Sequence, residues 1–92
     1  MSLMREFTPS NLASFICPHV FTAERPILFV VHDEGDWQFL CGCELTGDTP
    51  GHLVGVGHLV ERDPSINECA DLPDGWYAER ESPSHPWVRG SL

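Results

Sequence analysis

Ile27-Leu-Phe-Val-Val-His-Asp33, then Glu34-Gly35, then Asp36-Trp-Gln-Phe-Leu-Cys-Gly42 is the stretch that decides the fold. Two runs of β-branched and aromatic residues joined by two turn-forming residues read as a β-hairpin. Glu-Gly is weaker turn chemistry than Asn-Gly, but the flanking runs are long enough to set a register. With Asp33 opposite Asp36, His32 faces Trp37, Val30 faces Phe39 and Leu28 faces Cys41 on one side, while Phe29 faces Leu40 on the other. Both sides carry apolar residues, so the hairpin is expected at the centre of a sheet, covered in part on each face.

Working outward, 44–51 is dense in turn formers and reads as a surface loop. His52-Leu-Val-Gly-Val-Gly-His-Leu-Val60 reads as a third strand. Alternation places His52, Val54, Val56, His58 and Val60 on one face and leaves a shallow patch at Gly55 and Gly57. Asp63 followed by Pro64 has the chemistry of a helix cap and first helical residue, so a short helix is expected over 64–70, bounded by Pro73. Beyond it lie a turn at Asp74-Gly75, a short ordered piece, and an extended tail that Trp76 and Trp87 tie to the body. Upstream, Pro9 suggests a helical turn over 9–15, and Pro18 demotes 15–21 to an edge or broken strand. The resulting fold class is α+β: a small single domain with an antiparallel sheet of three to five strands around a central hairpin, plus short helices. Residues 1–3 read as an expression remnant ahead of Met4, leaving 4–92 as the domain.

Composition narrows the function classes. The chain has 92 residues, enough for one core, and 41% of them are hydrophobic, including five Phe, three Trp and one Tyr. No apolar run approaches the roughly 20 residues a membrane span needs, and no basic region leads into an apolar one, so a cytoplasmic location is expected. Fourteen acidic residues against five Arg, with no Lys, give a formal charge of −9. That field repels phosphate backbones and anionic lipid, which argues against nucleic acid and membrane and points to a basic protein as partner. Nothing directs secretion, so reduced thiols are expected at Cys17, Cys41, Cys43 and Cys69.

The sharpest chemical constellation is Cys17-Pro-His19 with Cys41-Gly-Cys43. Three sulfurs and an imidazole are the donors of a tetrahedral zinc site. The single-residue spacers are tighter than the usual C-x-x-C, and the competing reading makes Cys17 and Cys41 small buried hydrophobes, Cys43 a strand-end residue and His19 a surface ring. His32, His52 and His58 do not offer a second site, because an extended chain from 52 to 58 separates the rings by about 20 Å. Cys17 with His19 is the nearest approach to a nucleophile and base, but two residues along a strand leave their side chains roughly 7 Å apart. Asp33 and Asp36 flank a turn and read as solvated. Gly55-Val-Gly57 lacks the third Gly and the βαβ setting of a dinucleotide fingerprint. No catalytic residues and no resident cofactor are assigned, and the chain is not expected to be an enzyme.

Cys17-Pro-His19-Val-Phe, Arg25-Pro-Ile-Leu, Gly35-Asp-Trp-Gln-Phe-Leu-Cys-Gly42, Gly57-His-Leu-Val-Glu-Arg-Asp-Pro64 and Gly75-Trp-Tyr-Ala-Glu-Arg80 together resemble small uncharacterised bacterial proteins. Distant kin of that kind are proposed immunity proteins of polymorphic toxins. The resemblance covers about residues 15–89 and brings no catalytic motif. It implies a non-enzymatic, protein-binding accessory domain, with toxin immunity as its specific form and an acidic surface suited to a basic partner. Asp33, Glu34, Asp36 and Trp76 are the expected partner-binding residues. The alternative is a small zinc-binding protein using Cys17, His19, Cys41 and Cys43.

Overall fold

The hairpin forms in the expected register. In the computed structural model, which describes residues 12–42 and 52–92, β2 (Phe29–Asp33) and β3 (Asp36–Leu40) pair with Asp33 opposite Asp36, His32 opposite Trp37, Val30 opposite Phe39 and Phe29 opposite Leu40. Both turn residues are left-handed, Glu34 at φ 52° and Gly35 at φ 81°, which is the conformation whose twist matches two antiparallel strands. For Glu34 this costs about 1–2 kcal/mol. Asp74 helps hold the turn by accepting the Gly35 N–H at 2.8 Å.

The sheet is larger than three to five strands and is mixed. Among the described residues six strands run in the order β4-β1-β3-β2-β5-β6, adding β1 (Ala13–Ile16), β4 (His52–Gly55), β5 (Trp76–Glu79) and β6 (Val88–Ser91). The hairpin does lie at the centre. The unexpected element is β1, which pairs parallel to β3 and antiparallel to β4. The expected helical turn over 9–15 lies in part outside the described residues, and its described part is strand. Ser14 and Ile16 point into the core while Ala13 and Phe15 point out, and strands on both sides satisfy the backbone, so tertiary pairing overrides the local Pro9 signal.

Two further corrections follow from where proline and glycine act. The segment expected as an edge or broken strand over 15–21 is strand only to Ile16, and Pro18 is the first residue of the short helix α1 (Pro18–Phe21), where its missing N–H costs nothing. It also restricts Cys17 to an extended backbone, φ −77° and ψ 162°. β1 is therefore an interior strand that stops cleanly, not an edge. The apolar run 52–60 is strand only to Gly55, and α2 (Val56–Arg62) begins at once. Val56, Leu59 and Val60 recur at helical spacing; the first two are buried and Val60 packs against the core. Such a run carries both periods, and the core selects the helical one from Val56 onward.

The Asp63-Pro64 cap behaves as expected. A 3-10 helix spans Pro64–Cys69, with the Asp63 side chain accepting the Ser65 N–H at 3.1 Å. In this tighter helix positions i and i+3 eclipse, so Ile66 and Cys69 descend together into the core. The helices and the 80–87 segment cover one face of the sheet, where Ile16, Val30, Phe39 and Ala78 meet Val20, Val56, Leu59 and Leu72. Trp87 ties the tail down, donating its indole N–H to the Ser65 carbonyl at 3.2 Å. The loop expected over 44–51 lies outside the described residues.

Candidate metal centre

The parallel β1–β3 pair creates the site. Parallel strands end at the same edge of a sheet, and Ile16 is level with Phe39, so the residues just past the two strand ends, Cys17 and Cys41, are brought together from 24 positions apart in sequence. Cys41 shares the core-facing side with Phe39 by alternation. Pro18 then turns the chain into α1, and the first turn swings His19 back over the strand end. The two sulfurs lie 3.6 Å apart, and His19 Nδ1 lies 3.5 Å from the Cys41 sulfur. All three donor atoms fall within 4.8 Å of one another. The expectation that Cys17 and His19 lie about 7 Å apart is thus corrected, because it assumed an extended chain.

These separations can be compared with a coordination sphere. Zn–S of about 2.3 Å and Zn–N of about 2.0–2.1 Å in a tetrahedron give edges of about 3.7 Å between sulfurs and about 3.5 Å between sulfur and nitrogen. The two edges at Cys41 match within about 0.2 Å, while the Cys17 to His19 edge is held only within 4.8 Å. Without metal the same contacts serve as weak sulfur hydrogen bonds, with Cys17 donating to Cys41. Cys17 is fully buried, Cys41 nearly so and His19 half-buried. Two surface grooves, one lined by Glu79, Arg80, Glu81, His85, Pro86 and Val88 and the other by residues of 23–27 with Arg62, Asp63 and Pro83, do not include the cluster. Buried donors suit an ion that holds structure together. Cys43, the fourth expected ligand, lies outside the described residues.

Two of the other histidines, His32 and His52, are used in packing. His32 stacks on Trp37 with ring centres 4.0 Å apart, and its Nδ1 donates to the Leu72 carbonyl at 2.8 Å. His52 stacks on Phe21 at 3.9 Å, and His58 is an exposed residue of α2. Among the described residues no metal-capable group joins His32, His52 and His58. Cys69 stands apart as well, its thiol pushed up to about 12 by burial, and it remains protonated as a core residue.

The expected partner-binding residues divide between places. Asp33 and Asp36 face each other at the hairpin end, and Glu34 forms the turn between them. Trp76 is level with His32, so it projects from the helix-bearing face, away from Asp33. What the sequence reading missed is Arg80. Its side chain is buried and donates twice to the Ile27 carbonyl, to Ser65 Oγ at 2.7 Å and to Asp63 at 2.5 Å, and it lies 4.2 Å above the Trp87 ring. Burial raises the Asp63 pKa, but the Ser65 hydrogen bonds and the Arg80 charge outweigh it, and the carboxyl ends below its ordinary value of 3.8. The cap signal at Asp63 was visible in sequence; its second use as the partner of Arg80 was not, since nothing local links residues 63 and 80.

No protein-family model, no curated protein and no solved structure matches this chain. No helix among the described residues is long and apolar enough to cross a membrane.

Proposed function

We propose that this chain is a small zinc-binding domain in which Cys17, His19 and Cys41 hold the ion and fasten the end of β1 to the end of β3. The observation that carries this reading is the pair of donor separations, 3.6 Å between sulfurs and 3.5 Å from sulfur to imidazole, in a donor set that zinc favours. Cys43 is the sequence's candidate for the fourth position. The role is structural: the ion cross-links two chain positions 24 residues apart in sequence, and its binding energy becomes folding energy. The two thiols bind as thiolates and His19 through Nδ1.

Elemental analysis of untagged protein tests this directly. Near-stoichiometric zinc is expected, abolished by Cys17→Ser and by Cys41→Ser and sharply weakened by His19→Ala. Protein that carries no zinc, takes none up when offered it, and stays folded in chelator would refute the site and leave the cysteines as core residues.

A further inference from the structure

On the face of the sheet opposite the Cys17, His19 and Cys41 cluster, Val31 is buried at the centre and exposed apolar residues lie toward the edges. Register places Leu53, Phe15, Gln38, Val31, Tyr77 and Gly90 in one row crossing all six strands on the same side. Phe15 and Leu53 are 46% and 62% exposed, and Val88, on the same side at the other edge, is 60% exposed. The Tyr77 ring lies flat over Gly90, where an added Cβ would approach it to 2.6 Å, and stacks on Phe29 with ring centres 5.5 Å apart. An aromatic platform is thereby fixed in place. Every charged residue on the strands of this face is acidic: Asp33, Asp36 and Glu79, all exposed. The nearest strand arginine, Arg89, is level with Ala78, projects from the other face and pairs with Asp71.

We infer that this face docks a basic amphipathic segment of a partner protein, with an apolar stripe over Phe15, Leu53 and Tyr77 and Lys or Arg residues over Asp33, Asp36 and Glu79. Charge selects this occupant among those an apolar sheet face attracts. A second copy in a two-fold arrangement would bring the three carboxylates against their own kind. Anionic lipid and nucleic acid meet the same repulsion. A segment with apolar and cationic groups satisfies both components, and Gln38 in the middle of the row is left with donors and acceptors for its backbone or side chains. The inference is independent of the zinc reading, since it uses the opposite side of the sheet.

The test uses the full chain as purified and two synthetic helical peptides with the same leucine stripe, one flanked by lysines and one by glutamates, titrated calorimetrically. The lysine peptide is expected to bind at a 1:1 ratio and the glutamate peptide not to bind. Phe15→Ser with Leu53→Ser, and separately Asp36→Asn with Glu79→Gln, should each weaken binding by about tenfold or more. Glu24→Gln with Glu61→Gln removes the same charge away from this face and should change it little. All these positions are exposed, and unchanged circular dichroism confirms that each variant folds. Equal weakening by the two charge-removing pairs would reduce the effect to net charge and overturn the inference. So would equal binding of both peptides, or self-association lost with Phe15 and Leu53.

Discussion

Gly42 borders the candidate metal centre of Cys17, His19 and Cys41. It follows Cys41 at φ +87°, and a Cβ added there would meet nothing within 4 Å. The cost of Gly42→Ala is therefore backbone strain alone, about 1–2 kcal/mol. Urea denaturation of the zinc-loaded protein is expected to show that loss with the fold retained; a loss near zero would mean the turn is not fixed by the cluster. At this scale the sequence is a mixed guide. Cys17, His19 and Cys41 are recognisable as donors by type, but their separation is misjudged on an extended chain, because the consequence of Pro18 is a helical turn. Arg80 is invisible as a functional residue: its partners Ile27, Asp63, Ser65 and Trp87 come from three distant stretches.

Elements are read well where two periodicities do not compete. The 27–42 hairpin has a strong strand pattern and a two-residue turn, and four of the five expected strand pairs are found, the fifth, Leu28 opposite Cys41, lying just past the strand ends. The run 52–60 satisfies both periods, and only the core decides that Gly55 ends the strand and Val56 begins α2. The 3-10 helix after Asp63 is legible because its cap and proline act locally. That cap also yields a pH prediction. Asp63 has its pKa held below 3.8 in the folded protein, so its contribution is fully present above that value and is lost as pH falls through the lower folded value. Asp63→Asn should cost about 1.5–3 kcal/mol near neutrality, since it removes a charged partner of buried Arg80. The difference from the parent protein should shrink as pH drops below 3.8. A difference independent of pH would show that Asp63 acts only through its shape.

At the scale of the whole molecule the fold is a six-stranded mixed sheet with helices on one face and an acidic, partly aromatic surface on the other. The α+β class was legible, and so was the central position of the hairpin. The parallel β1–β3 pairing was not, because the crossover from Ile16 to Asp36 contains both α1 and β2 and leaves no local periodicity to read. That pairing brings Cys17 beside Cys41. Removing an ion that bridges the two strand ends should lower the melting temperature in chelator and restore it on adding zinc. The most direct test of the central claim is X-ray absorption at the zinc edge of the loaded protein. The account predicts four-coordinate zinc with at least two sulfurs at about 2.3 Å and one imidazole nitrogen at about 2.0 Å. A shell of oxygen and nitrogen alone, or one unchanged in Cys17→Ser and Cys41→Ser protein, would contradict it.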